Sequence, residues 1–315
     1  MKNSRRKNHG LNRREFIRSS TLLAGTALVS PWAISNLRAA AAPAGAVAGK
    51  RTAVDQVTLG KTGVKLSRLG FGTGSNNGRE QTAIGQDGFT KLIHYAYDQG
   101  ITYIDTAESY RTFEWISDAV KGLPREKLFI QSKVDGKPAD VLAVIDHHRK
   151  VFNTDYIDSL LVHCMTRGKW TDEWKRIMDG FSEAREKKWL RANGVSCHSL
   201  PALRTTTASD WAEVLLARVN PQGIYTDGEV ADWSNSIHHD ISPVMQEIKT
   251  MHAKGVGVIG MKIFGAGSFT DPADREKSIR YAMACKDIDA IVIGFTSTQQ
   301  IDEAIERMDR ALAEI

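Results

Sequence analysis

Four side chains able to move a proton stand at or just beyond the ends of three consecutive apolar runs. Asp105 closes Ile101-Thr102-Tyr103-Ile104, and Tyr110 follows five residues later, after Ala107-Glu108-Ser109. Lys133 closes Leu128-Phe129-Ile130-Gln131-Ser132, and His163 closes Ile157-Asp158-Ser159-Leu160-Leu161-Val162. Any one of these is commonplace, since an Asp after a strand is most often a turn or cap residue. As a set they form an acid–base group. A free phenol ionises near pH ~10, too high for good proton transfer at neutral pH. A nearby ammonium favours the phenolate and lowers that value, and a carboxylate beside the ammonium keeps it charged. The imidazole can orient a carbonyl oxygen or relay a proton. This equipment suits protonation of an oxygen while hydride arrives on the adjacent carbon.

Something must bring three strand ends to one point. After a glycine-turned β-hairpin (Gln56 to Gly60 and Val64 to Ser67, around Lys61-Thr62-Gly63), short apolar runs alternate with amphipathic stretches. The expected strands are 69–72, 102–105, 128–132, 159–163, 192–196, 214–219, 256–261 and 290–294. Between them, Phe89-Leu92-Ile93-Ala96 and Val244-Ile248-Met251 show helical spacing, and helix ends are marked by Gly100, Gly122 and Gly255. Eight strand–helix units predict an α/β fold in which a parallel sheet closes into a (β/α)8 barrel. A doubly wound sheet is the alternative, but no GxGxxG links the first strand to a helix. In a barrel the active site lies at the C-terminal strand ends, where the four residues fall.

The segments Val57 to Gly63, Leu69 to Gly74, Ile104-Asp105-Thr106-Ala107-Glu108-Ser109-Tyr110 and Asp158 to His163 resemble the aldo-keto reductase family over nearly all of residues 56–310. The resemblance implies a TIM-barrel oxidoreductase that reduces an aldehyde or ketone, or oxidises the corresponding alcohol, with NADP or NAD as cofactor. It implies Tyr110 as general acid, Lys133 as the group lowering its pKa, Asp105 as the lysine's partner and His163 as the group orienting the substrate. It also implies cofactor contacts at Gly72, Thr73, Ser196, Asn220, Met261, Lys262, Gly294, Thr296 and Gln300. Several of these positions depart from the family pattern. Cys197 follows Ser196 where an Asn is usual, Leu216 stands for a Gln, Met261 for an aromatic, and Gln299 and Gln300 where an arginine often meets a 2′-phosphate. An amide in place of a guanidinium loses charge and the bidentate fork. A second reading follows, in which the barrel is retained by an exported binding or interaction protein with weakened or lost cofactor use.

Trp170 and Trp174 read as pocket walls or, at least equally, as packing, and residues 225–240, including Trp233, as a lid or extra wall. His147-His148 and His238-His239 read as solvated pairs, and no metal site is expected. Cys164, Cys197 and Cys285 have no CxxC spacing and read as small apolar residues.

Residues 1–45 read as a leader and 46–315 as the barrel. Lys2, Arg5, Arg6, Lys7, Arg13, Arg14 and Arg18 precede a short apolar stretch and a run of alanines, the order of a secretory signal. Asn12-Arg13-Arg14-Glu15-Phe16-Ile17-Arg18 resembles the twin-arginine export signal, which implies a bacterial source, contact with the export machinery and a periplasmic or otherwise exported destination. The apolar stretch is shorter than the ~20 residues of a membrane span, so none is expected in the mature form. The leader also explains the net charge of +5. Residues 1–42 hold eight of the 42 Lys and Arg and one of the 37 Asp and Glu, which leaves 34 against 36. Nucleic-acid binding is therefore not expected.

Overall fold

The computed structural model describes residues 50–315, position 232 excepted. The leader read over residues 1–45 lies outside the described residues. Strands β3 (Leu69–Gly72), β4 (Tyr103–Asp105), β5 (Phe129–Val134), β6 (Ile157–Met165), β7 (Leu190–Cys197), β8 (Val214–Arg218), β9 (Gly257–Met261) and β10 (Ala290–Gly294) close a barrel in chain order, with β10 pairing β3. Every neighbouring pair is parallel. Helices α1 (Arg79–Thr82) and α2 (Gly85–Asp98) follow β3, and α3 (Ile116–Ala119) follows β4. Next come α4 (Val141–Val151), then α5 (Trp170–Glu173) with α6 (Lys175–Glu186), and α7 (Leu200–Ala208). The last three are α8 (Ser242–Ala253), α9 (Pro272–Ala284) and α10 (Thr298–Ala313). This is the (β/α)8 barrel expected from the alternation. None of these helices is long and apolar enough to cross a membrane.

The helices form where the sequence gives them an apolar face and a cap. In α2, Phe89, Leu92, Ile93 and Ala96 are the buried residues, one stripe at helical spacing. Asp140, Ser199, Asp271 and Ser297 cap α4, α7, α9 and α10 by accepting an N–H of the first turn. The stripes pack on the outward faces of the strands to form the larger core. A second core fills the barrel itself with Tyr103, Phe129, Leu161, Val214, Leu216, Ile259 and Val292. Leu59, Val64 and Leu66 belong to that inner core. They come from the hairpin β1 (Gln56–Thr58) and β2 (Lys65–Ser67), which turns at Gly63 with φ of 71°. Lys61 N–H donates to Gly255 O, just before β9 begins. Among the described residues the hairpin thus closes the N-terminal end of the barrel and leaves the C-terminal end open.

Two elements run further than their apolar residues suggest. β5 continues through Lys133 to Val134, and β6 through His163 to Met165, with a register shift against β7 between Val162 and Met165. Cys164 at this shift has φ of 62°. The polar side chains are therefore carried on strand backbone rather than on free loops.

Candidate active site

The four acid–base residues meet at the C-terminal end of the barrel. Lys133 Nζ donates to both oxygens of Asp105 at 2.8 Å and to Thr106 O at 2.7 Å. The pair is buried, with the side chains 1% and 8% exposed. Gln131 supports it from one layer below, donating from Nε2 to Asp105 Oδ1 (2.9 Å) and to the Tyr103 hydroxyl (2.8 Å) while Ser159 Oγ donates to its Oε1. The ammonium lies 5.0 Å from the centre of the Tyr110 ring, and the Tyr110 and His163 rings meet edge-on at 5.8 Å. Tyr110 rests on Gly74, where a Cβ would fall 2.2 Å from the ring. The Leu69 to Gly74 segment therefore needs glycine at that position for the phenol to reach its place.

The electrostatics differ from the expectation that the ammonium would lower the phenol's pKa. Burial pushes the Tyr110 hydroxyl well above its ordinary value, and the carboxylates of Asp105 and Asp135 and the thiol of Cys164 add to the effect. The reason is geometric. Lys133 spends its three N–H groups on Asp105 and Thr106, so Asp105 largely neutralises its charge. Burial also pulls the Lys133 ammonium down, against the opposing pull of Asp105. Tyr110 is thus a neutral phenol at working pH, fit to donate a hydrogen bond to an oxygen.

Beside these residues opens a cavity of about 500 Å³, within the range for small-molecule sites. Asp105, Tyr110 and Gly72 line it from β3, β4 and the loop beyond β4; Met261, Lys262, Gly294, Thr296 and Gln300 line it from the ends of β9 and β10 and from α10. Three other expected cofactor positions do not line it. Thr73 is buried with its hydroxyl unpartnered. Ser196 Oγ is 3.2 Å from His198 Nε2. Asn220 spends its amide on Ile224 O, Ile224 N and Lys262 O. Cys197 and Leu216, at the positions of the missing amides, are buried, the first with its sulfur 3.3 Å from Thr206 Oγ1.

The cavity nevertheless suits a dinucleotide. The Lys262 ammonium makes no hydrogen bond or ion pair among the described residues, and burial together with repulsion from Arg218 and Lys133 pulls its pKa down. Such a group gains from an anion. At Gly294 a Cβ would fall 2.0 Å from Ser75 Oγ, so the backbone wall stays open only for glycine. Arg275, which donates to Glu303 at 2.9 Å and to Phe269 O and Thr270 O, lines the same cavity and was not foreseen.

Other residues take places the sequence did not indicate. Trp170 is wholly buried, its indole N–H donating to Ala202 O and Thr206 Oγ1, so of its two expected readings it takes packing in the core. Trp174 donates to Gly136 O under Lys137. His148 is buried against Phe113 and Phe152, contrary to the reading of a solvated pair, while His147 and His238 are exposed. Arg218 and Asp227 form a buried ion pair at 2.6 Å, and burial pushes the Asp227 carboxyl up to about 6 against the pull of the guanidinium. Trp233, on the 225–240 loop, stacks on His198 at 4.9 Å and lies 5.6 Å from the Arg218 guanidinium. A charge inside the apolar run Val214 to Val219 was the available signal for Arg218.

Eight parallel strands, a plugged lower end and an acid–base group at the upper strand ends define a barrel-enzyme architecture. The Aldo/keto reductase family model matches residues 68–314, and the chain belongs to this family. It is 26% identical over 246 residues to "probable aldo-keto reductase 1" of Glycine max, a match covering 69% of this chain and 61% of the relative. It is 30% identical over 140 residues to glyoxal reductase of Bacillus subtilis, covering 42% and 46% respectively. The matches therefore span about half the length of such relatives. The barrel also superposes on the holo form of an aldo-keto reductase from Bacillus halodurans with a TM-score of 0.64 at 16% identity, covering 83% of this chain and 96% of that one.

Proposed function

We propose that the protein is an NAD(P)-dependent oxidoreductase that reduces an aldehyde or ketone, or runs the reverse oxidation. The observation that carries this is the Asp105–Lys133 pair beneath Tyr110, with His163 edge-on, beside a cavity bordered by the unpartnered Lys262. In this reading Tyr110 Oη donates its hydrogen bond to the carbonyl oxygen, and His163 steers that oxygen from the other side. Lys133 holds Asp105 and the strand ends in register. Lys262 would hold the dinucleotide's phosphates, with Gly294 keeping the wall beside them open and Thr296 and Gln300, bonded to each other, bordering the same cavity. A nicotinamide cofactor, when bound, supplies the hydride. Family membership supports the class of reaction, and the orphan ammonium supports an anionic cofactor.

The second reading, a binding protein on the same barrel, is favoured by one observation: Cys197 and Leu216 bury sulfur and hydrocarbon where the family resemblance places amides. Titration with NADPH and NADH, followed by quenching of tryptophan fluorescence, separates the two. We expect saturable binding of at least one nucleotide. Turnover of 4-nitrobenzaldehyde is expected to fall about 10²- to 10⁴-fold in Tyr110→Phe while nucleotide binding persists. No quenching by either nucleotide would leave the binding-protein reading standing. Residues 1–45 are proposed to direct export through the twin-arginine route; cell fractionation finding the full pool of protein in the cytoplasm would refute this.

A further inference from the structure

Asp135 lies one residue past the end of β5 and two past Lys133. Its Oδ1 is 2.6 Å from His163 Nδ1 on β6, and its Oδ2 accepts the backbone N–H of Ser109 at 3.1 Å. Ser109 immediately precedes Tyr110. A single carboxylate therefore joins the imidazole to the loop that carries the phenol, and the two rings it braces meet edge-on.

We propose that Asp135 is the positioning residue of this site: it keeps the proton of His163 on Nδ1, confines proton exchange to Nε2, and sets His163 and Tyr110 against the same substrate oxygen. The proposal rests on the reductase reading only for what that oxygen is; the state of the ring does not depend on it.

The chemistry follows from the donor inventory. An ionised carboxylate can only accept, so the nitrogen facing it must carry the hydrogen. Asp135 is ionised: burial raises its carboxyl, but the hydrogen bond and charge of His163 and the Ser109 contacts hold it below the ordinary carboxylate value. Nε2 makes no hydrogen bond among the described residues, and the His163 side chain is 11% exposed. In reduction a bound nicotinamide would supply the hydride to the carbonyl carbon, and the oxygen would need one proton. A charged His163 can give that proton from Nε2 and become the neutral ring, still bonded to Asp135 through Nδ1. The oxidised nicotinamide and the alcohol complete the balance. A carboxylate holding the remote nitrogen of a catalytic imidazole is a recurring way to fix tautomer and orientation. The strongly raised phenol makes such a second donor useful, because Tyr110 alone is a weak acid here.

Asp135 also feels Lys133 on β5, Cys164 on β6, Tyr110 and Glu108 on the loop after β4, and His148 on α4. A merely structural turn residue would hold Ser109 and leave the ring indifferent. The test therefore reads the ring directly. In the full chain labelled with ¹⁵N-histidine, with His163 assigned by comparison with His163→Asn, we expect the Nδ1-protonated form in the wild type. Asp135→Ala should shift it to the Nε2-protonated form, and should lower kcat for 4-nitrobenzaldehyde with NADPH about 10- to 100-fold. The Kd for NADPH, from tryptophan quenching, should stay within about twofold, as expected of a residue that touches the imidazole and not the dinucleotide. Asp135→Asn keeps an acceptor oxygen without the charge. It should restore the Nδ1 form and part of kcat. Retention of the Nδ1 form in Asp135→Ala, or a kcat within twofold of wild type, overturns the proposal. A wild type that binds no nicotinamide nucleotide overturns the reductase reading instead, and the ring measurement still decides the role of Asp135.

Discussion

Lys133 shows what a single residue can be asked to do in a buried site. Its ammonium is almost wholly enclosed and bonded to both oxygens of Asp105. Removing one partner of such a pair leaves an uncompensated buried charge, which typically costs about 3–5 kcal/mol, whereas replacing both with apolar groups is often close to neutral. Lys133→Met should therefore lower unfolding free energy in urea by about that amount, and Lys133→Met/Asp105→Leu should recover most of it while remaining inactive. Equal stability of the single and double variants would mean that the pair does not carry its charge as described. The tetrad was legible because each member ends an apolar run or follows one closely. Asp135 was not, because Val134-Asp135-Gly136 reads as an ordinary turn and only the closed barrel shows His163 opposite it. The direction of the phenol's shift was also hidden. It depends on how Lys133 distributes its three donors, which spacing along the chain cannot reveal.

At the scale of elements, strands and helices followed from periodicity, and their order gave the barrel. Strand ends were less well marked: β5 and β6 run on through Lys133 and His163 because the barrel pairs them beyond the last apolar residue. The β8 end carries a charge that the strand pattern does not single out. Arg218 sits fully buried there, donating to Asp227 Oδ1 and to His198 O, and so fastens the long loop before α8 to the barrel rim. The same loop carries Trp233 over His198, with Val230 and Ile237 exposed on it. Arg218→Met strands the Asp227 carboxylate in the protein interior, so a loss of about 3–5 kcal/mol in chemical denaturation is expected. Arg218→Met/Asp227→Leu should regain much of the stability but not the loop's position, seen as altered accessibility of Trp233 to a collisional quencher. A double variant no more stable than the single would argue that Asp227 is not charged in the folded protein.

On the outer surface of the barrel a charge network ties α9 to α10, joining i,i+4 pairs within each helix to pairs between the two. Glu276 on α9 accepts from Arg280, Arg307 and Arg310, the last two on α10, and Arg280 also reaches Glu314. Arg307 is shared with Glu303, which meets Arg275 at the cavity, so the network runs from the site to the far end of the last helix. Helical spacing identifies the apolar stripe of α10, but the partners of Glu276 on that helix lie about thirty residues away and become neighbours only when the helices pack side by side. The hydrogen bond from Arg310 leads the arginines that, against the raising effect of partial burial, bring Glu276 down from 4.5 to about 2. The sign follows from linkage. The folded carboxyl ionises below the unfolded one, so between pH ~4.5 and ~2 the unfolded state binds more protons. Stability from this group is complete above the unfolded value and is lost as pH falls through that window. Because solvent screens a surface cluster, the contribution is about 1 kcal/mol rather than the full value of the shift. Glu276→Gln should therefore flatten the acid limb of a urea-midpoint-versus-pH curve below pH ~4.5, and about 1 M NaCl should shrink the difference between the two proteins by screening. An acid limb identical in both proteins at low salt would show that the α9–α10 network contributes nothing to the barrel's stability.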